Sequence, residues 1–336
     1  MTSLPPPERA PERFLVLATM RDEGPFIVEW MAWYRSLGFT ALVAVNDCTD
    51  RSPDLLDAFA AAGWAAVVRH DPGRAGLHPK RSAFRAVRGH PLLEWADWML
   101  TVDADELLVI HDGGTAASLL DRVGRDVLGV GINWRVFGSG GEATWRDAPV
   151  HRTFLRASAP RHDPNRFVKT LAREPAAWAR LSDHAPSGWR GDPRWDEGRH
   201  MVDGEGRPLL PVEPPPVRLT THERITHRHA QVNHYALRWA ESFGLKRGTL
   251  SAAAGTDRYT DRFWARMDRN ERRDASALAH AGTFAAAHAE ALSLPDVRRL
   301  HHLCCMDYVA RLAARAGRRV EEDERWHHHR AEAERS

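Results

Sequence analysis

The stretch Trp98-Met99-Leu100-Thr101-Val102-Asp103-Ala104-Asp105-Glu106 runs apolar and then ends in three acids. In an extended chain residues i and i+2 point the same way, so Asp103 and Asp105 would present two carboxylates together at the end of a buried strand. Open α/β sheets bind ligands at the carboxyl ends of their strands. Paired carboxylates there suit a hard divalent cation, Mn²⁺ or Mg²⁺, which in turn holds phosphate oxygens. Taken alone, Asp-x-Asp also describes a strand running into an acidic, solvated turn.

Working outward, residues 14–19 (Phe-Leu-Val-Leu-Ala-Thr) form a short apolar run suited to a buried parallel strand. Phe26, Ile27, Trp30, Met31, Trp33, Tyr34 and Leu37 then recur at helical spacing, and Gly38 stops the helix. Ala41–Val45 reads as a second strand, ending in Asn46-Asp47-Cys48-Thr49-Asp50. A helix carrying Leu55, Leu56 and Phe59, closed by Gly63, leads to a third strand over Trp64–Val68. This β-α-β-α-β order predicts a parallel sheet with right-handed crossovers and both acidic clusters on one edge.

Four blocks carry a family resemblance: Met20-Arg-Asp-Glu-Gly-Pro-Phe-Ile-Val-Glu-Trp30 through Tyr34-Arg-Ser-Leu-Gly38 to Asn46-Asp-Cys-Thr-Asp50; Trp98 to Leu107; Asn133-Trp-Arg-Val-Phe-Gly-Ser-Gly-Gly141; and Gln231-Val-Asn-His-Tyr-Ala-Leu-Arg-Trp-Ala-Glu-Ser-Phe-Gly-Leu-Lys-Arg-Gly248. In this order, from about residue 14 to about 250, the chain resembles family 2-like glycosyltransferases, including relatives once grouped as a domain of unknown function. The resemblance implies an α/β, GT-A (Rossmann-like) nucleotide-diphospho-sugar transferase fold. Its mostly parallel central sheet would be flanked by helices, with a C-terminal helical extension. It makes Asp103 and Asp105 a DXD motif, with Asp105 the direct metal ligand and Asp103 the partner of ribose or metal. It places Asp47 as the base-reading acid, Glu23 at the nucleotide's edge, and His234 and Lys246 in a turn closing over the donor. It sets the Gly138–Gly141 loop beside the acceptor. An inverting transfer, itself implied by the family alone, needs a general base there; Glu142 is the first candidate and Asp147 the second. Two departures, Glu142 where the family often has His or Gln and Trp239 where it usually has Ser, fall on the acceptor side.

Other residues are read from their own chemistry. Asp50 is a favoured helix N-cap, and Asp22 suits a turn. Lys80 and Arg81 open a helix after Pro79, where cations and a helix N-terminus both favour the diphosphate; a solvated first turn is the plainer alternative. Glu106 is either a group behind the metal ligands or a charge capping the strand. His184 can complete a metal shell or touch phosphate, though a loop histidine is more often ordinary. His222, His227, His229 and His234 have no closed zinc spacing, and His327-His-His329 is expected to be solvated.

Composition bounds the rest. The 336 residues carry 47 Lys+Arg against 45 Asp+Glu, a net charge of +2, which leaves no footprint for nucleic acid. No apolar run reaches the roughly 20 residues of a membrane span, and residues 1–13 lack the apolar core of a secretory signal. Three cysteines give no disulfide framework. The expected setting is therefore cytoplasmic, with peripheral contact at the inner membrane face left open. Cys304 and Cys305 are expected to pack as small hydrophobes. Trp134, Trp145 and Trp189 suit either a carbohydrate cleft or the core. The expected organisation is a disordered tail over 1–13 and a GT-A domain over 14–245, with a nucleotide-binding half (14–112) and an acceptor-side half (113–245). A helical extension follows over 246–336. Within the acceptor half, Thr153–Leu155 and Phe167–Leu171 read as short strands and 174–222 as an irregular lobe.

The function expected from this reading is metal-dependent transfer of a sugar from a nucleotide-diphosphate donor to a saccharide, lipid or protein acceptor. A sugar nucleotidyltransferase is the first alternative, but Arg21-Asp-Glu-Gly24 lacks the basic Gly-rich segment such enzymes carry after strand one. A non-catalytic carbohydrate- or nucleotide-sugar-binding protein that kept the fold is the second.

Overall fold

The computed structural model describes residues 11–209, 218–250 and 257–336; most of the expected N-terminal tail, and parts of the expected lobe and extension, lie outside the described residues. The architecture is mixed α/β, a curled central sheet with helices on its faces. Strands β1 (Phe14–Met20), β2 (Phe39–Val45), β3 (Ala65–Arg69) and β4 (Trp98–Asp103) are parallel and ordered β3-β2-β1-β4. The other strands of this sheet are β5 (Glu106–Ile110), β6 (Gly129–Val136), β7 (Val168–Arg173), β8 (Met201–Asp203) and β9 (Ala230–His234). The sheet continues β4-β7-β6-β9-β5, with β7 antiparallel to both of its neighbours and β5 antiparallel to β9. β8 and β9 lie parallel to β6. The sheet is thus parallel through its first four strands and mixed beyond them.

Register fixes the functional edge. Thr19 pairs with Asp103 and Met20 with Val45, so the loops after β1, β2 and β4 leave the sheet together. Between β1 and β4 the strand order reverses, which is the crevice where such sheets take ligands.

Helices α1 (Gly24–Ser36), α2 (Ser52–Ala61), α3 (Pro79–Ala86), α4 (Ala116–Val123), α5 (Ala240–Lys246), α6 (Asp261–Met267), α7 (Ala281–Ser293), α8 (Val297–Arg315) and α9 (Glu324–Arg335) complete the framework, with single-turn helices between them. Every residue of α1 from Gly24 to Tyr34 is buried. A helix without a polar face must be covered on all sides; the sheet covers one side, and α7 and α8 cover the other. Gly24 is needed at this crossing, because a Cβ there would stand 2.6 Å from Cys304 Cβ of α8. The helical extension therefore shares one core with β1, β4 and α1 through Phe284, Cys304, Cys305, Tyr308 and Val309.

The buried polar groups of α1 position its neighbours. The Trp33 indole donates to Leu108 O (2.8 Å) and the Tyr34 hydroxyl to Glu106 O (3.0 Å), which holds β5 in place. Glu29 accepts from the N–H groups of Val150 (2.7 Å) and His151 (3.1 Å). That capping turns Val150–Thr153 into one helical turn, where a strand over Thr153–Leu155 was expected; only Arg156–Ala157 is extended, against Arg272–Arg273. Among the described residues no helix is long and apolar enough to cross a membrane.

Candidate active site

β4 ends at Asp103, and Ala104-Asp105 form a tight turn before β5 begins at Glu106. The two acids are thus not neighbours on one extended strand, as the i, i+2 pattern implied. They meet different cations. Lys80, at the start of α3, donates to Asp103 at 2.8 Å and to Asp183 at 3.1 Å. Lys169 of β7 lies 3.7 Å from Asp103 and 2.9 Å from Glu106, and both Lys169 and Glu106 have fully buried side chains. Lys246, at the end of α5, donates to Asp105 at 3.2 Å and to Ala236 O at 3.1 Å. Arg238 donates to Glu23 (2.9 Å) and to Ala104 O (2.8 Å), the carbonyl between the two acids. Its guanidinium also lies over the Phe26 ring, 3.6 Å from the centroid.

Electrostatics follow from burial and these partners. Burial by itself raises Asp105, but Lys246, His234 and Arg238 overcome it and hold the carboxyl well below its usual range. Asp103 is likewise lowered, against burial, by Lys169 and Lys80. Glu106 goes the other way: burial and the nearby aspartates raise it despite Lys169. Its Oε2 accepts the Asp103 N–H at 2.7 Å, so it fixes the strand end on which Asp103 sits.

Two imidazoles flank Trp134. The His234 ring lies 4.1 Å and the His184 ring 5.7 Å from the indole. Burial pushes both down to about 4, so both are neutral at physiological pH. His184 Nδ1 sits 2.9 Å from Val168 O, which as a donor leaves Nε2 with its lone pair, 4.0 Å from Asp183. His234 Nε2 lies 3.9 Å from Asp105 Oδ1.

Glu23, Lys80, Asp103, Asp105, His184, His234 and Lys246 thus converge on one edge. Asp47 stands on the same edge in the left-handed region (φ +45), its carboxylate accepting from Asn46 Nδ2 at 2.9 Å. Asp22 accepts from the Thr49 N–H (2.6 Å), tying the first two edge loops together. Asp50 accepts from Ser52 N–H (2.9 Å) at the start of α2 and from Gly24 N–H (3.3 Å) at the start of α1. Arg81 is exposed beside an open cavity of 500 Å³ lined by Pro72, Gly73, Gly76, Leu77 and His78. Next to β3 a 690 Å³ cavity is lined by Arg69, His70, Asp71, Arg74 and Arg85.

Glu142 and Asp147, the acids expected on the acceptor side, have partners outside the acid–lysine cluster. Glu142 pairs with Arg146 at 3.0 Å, and Asp147 with His301 of α8 at 3.0 Å. Gly140 and Gly141 take positive φ (+60 and +84), and the loop is pinned where Ser139 N–H and Gly140 N–H donate to Asp268 and Asn270. Trp239 is fully buried among Phe26, Trp145 and Phe154, and Trp145 belongs to the same core. Trp189 packs edge-on to Trp178; Trp134 is the one of the three candidate aromatics at the site. His329, expected to be solvated, is 2% exposed because α9 packs it against α8.

Sequence reasoning missed Lys169 and Asp183. Lys169 left a readable signal, since a lone lysine inside the apolar run Phe167–Leu171 must find a buried partner. Asp183 left none beyond its neighbour His184.

No family model and no curated protein matches the chain. Among solved structures it is similar to S. aureus TarS 1-349 in complex with UDP, at 13% identity over 40% of this chain and 38% of that one, with a TM-score of 0.28. It is similar to S. aureus TarS 1-349 at 12% identity over 96% and 88%, with a TM-score of 0.33. It is also similar to the galactosyltransferase LgtC in complex with donor and acceptor sugar analogues, at 11% identity over 48% and 58%, with a TM-score of 0.25. At these identities and TM-scores the likeness assigns no chemistry to this chain.

Proposed function

We propose that this chain is a GT-A-type glycosyltransferase that binds a nucleotide-diphosphate sugar at the edge formed by the ends of β1, β2 and β4. One observation carries the reading: Lys80, Lys169, Lys246 and Arg238 converge on Asp103, Asp105 and the Ala104 carbonyl at the point where strand order reverses. Such an arrangement has little purpose as a stabilising device, since buried ion pairs seldom outperform apolar packing. It suits a ligand that brings its own anionic charge and needs an ordered cation set to receive it.

When bound, a Mn²⁺ or Mg²⁺ ion would offset the charge growing on the leaving diphosphate. Asp105 and His234 fit it best. Asp105 Oδ1 and His234 Nε2 carry no hydrogen bond among the described residues, lie 3.9 Å apart, and offer an oxygen and a neutral nitrogen. His184 Nε2 is the reserve ligand. Asp103 is committed to Lys80 and Lys169, so in this reading it orients cations and ribose. Lys80 and Lys246 swing toward the diphosphate as it displaces their carboxylate partners. Glu23 and Asp47 line the nucleotide's edge, with Arg81 at the cavity beside it. Glu142 is the acid we assign to the acceptor hydroxyl, in an inverting transfer; Asp147 is drawn toward α8 by His301.

The test is a thermal-shift and transfer screen with UDP, GDP, CDP, ADP and their sugar conjugates, with and without Mn²⁺. A ligand at about 100 times its Kd stabilises by about 2.7 kcal/mol. The expected result is a shift with one base, dependent on Mn²⁺ and lost in Asp105→Asn, with sugar released or transferred. A shift that ignores both metal and Asp105→Asn means that the lysines hold the diphosphate unaided. Pyrophosphate release from a nucleoside triphosphate would turn the reading to a nucleotidyltransferase. No shift with any nucleotide overturns donor binding.

A further inference from the structure

A second cluster of chemistry-bearing groups lies where the C-terminal helices meet the acceptor-side loop. His301 and Cys305 are one turn apart on α8 and share a face. His329 projects from α9, and Asp147 from the loop that follows Trp145. Donor atoms of Asp147, Cys305 and His329 all lie within 4.8 Å of one another, and so do those of Asp147, His301 and His302. The two triads interlock: His301 Nε2 stands 3.0 Å from Asp147 Oδ2 and 3.7 Å from Cys305 Sγ. His302 Nδ1 faces His329 Nδ1 at 3.0 Å, two ring nitrogens from different helices aimed at each other.

This is a poor arrangement for a plain hydrogen-bond network. Cys305 is fully buried and His329 nearly so, and His301 Nδ1 is buried with no partner. His302 and His329 meet through Nδ1 of each ring, which leaves His329 Nε2 to act as a ligand. In a tetrahedral zinc site, with Zn–N of about 2.0–2.1 Å and Zn–S of about 2.3 Å, neighbouring donor atoms stand about 3.3–3.7 Å apart. The His301–Asp147 and His301–Cys305 separations are on that scale, and His329 stands within 4.8 Å of Asp147 and Cys305.

We propose that Asp147, His301, Cys305 and His329 form a structural site for one zinc-class transition-metal ion, with His302 behind His329. One thiolate, two imidazoles and one carboxylate form a borderline-soft donor set that selects Zn²⁺ over Mg²⁺ or Ca²⁺. Binding forms a metal–sulfur bond and releases the Cys305 thiol proton to solvent; no redox change is involved. The ion fastens α8 and α9 to the loop that runs back through Trp145 to Glu142. It is separate from the Asp105 centre and does not depend on the glycosyltransferase reading.

The test is Co²⁺ titration of the tag-free, chelator-treated full chain, followed by absorption and circular dichroism. The expected result is saturation at one equivalent with a thiolate-to-cobalt charge-transfer band, competed away by Zn²⁺ and absent in Cys305→Ser. Asp147→Asn should keep the wild-type dichroism and bind at least about tenfold more weakly, the scale of losing a carboxylate that orients or ligates a site. No thiolate band in the folded wild-type chain overturns the proposal. So does a band that survives in Cys305→Ser, which would place the ion at Cys48, beside Asp22 and Asp50, or at Cys304. If Cys305→Ser fails to fold, unchanged affinity in Asp147→Asn overturns it as well.

Discussion

Lys169 is a fully buried ammonium facing two carboxylates, and removing it takes from Glu106 its nearest cation and leaves Asp103 with Lys80. Breaking a buried pair by deleting one partner costs about 3–5 kcal/mol. Lys169→Met should therefore lower the urea midpoint strongly, and adding Glu106→Gln should recover part of the loss; equal stability of wild type and Lys169→Met would refute the pairing. His227 gives a separate prediction. Its ring lies 2.7 Å from Trp134 O, and burial pushes it down to about 4, below the ordinary value of 6.5. The unfolded chain then takes up this proton first, so stability falls as pH drops from 6.5 to about 4 and is level above that window. The loss from this group should be on the order of 3 kcal/mol, and His227→Gln should make that part of a stability–pH curve shallower, with His184, His234, His302 and His329 supplying the slope that remains. At this scale the acids were legible, and Lys80 and Lys246 were named for the diphosphate, but Lys169 and the pairing of these cations with the acids were not. Asp103 and Asp105 stand at the end of an apolar run, a local pattern. Lys80 reaches Asp183 across 103 positions and Lys246 reaches Asp105 across 141, and such pairings leave no periodicity to read.

The elements were more legible than their surroundings. The apolar spacing from Phe26 to Leu37 gave α1, but its burial on every side depends on α7 and α8, which lie more than two hundred residues on. Trp239 shows the same limit. As a departure from the Ser usual in the family the chain resembles, it reads with the acceptor side, whereas the indole is core, packed on Phe26, Trp145 and Phe154. Trp239→Ser, which installs the residue usual in the family it resembles, should destabilise by about 3–5 kcal/mol through the cavity it leaves; a shift under about 1 kcal/mol in a denaturation curve would contradict that packing. Gly24→Val should do comparable damage by overpacking, because its Cβ would press on Cys304 at the α1–α8 crossing.

For the whole molecule, the helical extension is a wall of the domain. Phe284, Cys304, Tyr308 and Val309 belong to the same apolar cluster as Val16, Leu100 and Trp30. A chain ending at residue 280 would leave one side of α1 bare. It should lose its cooperative urea transition and bind a hydrophobic dye, and a sharp transition with no dye binding would contradict the shared core. The β-α-β-α-β order fixed the parallel half of the sheet from sequence alone. The mixed half, where β7 inserts between β4 and β6, pairs strands far apart in the chain, Trp98 with Arg173 and Gly129 with Ala172, and a local pattern does not record such an order.

The burial of α1 also sets a timetable. Its last residue, Ser36, leaves the ribosome 279 positions before Arg315 closes α8 over it. At about 5–20 residues per second that is a wait of roughly 15–55 s. Through it, a helix bearing Phe26, Trp30 and Trp33 has no permanent cover. The N-terminal half of the sheet is made first and finished last, because the second cover of α1 comes from α7 and α8.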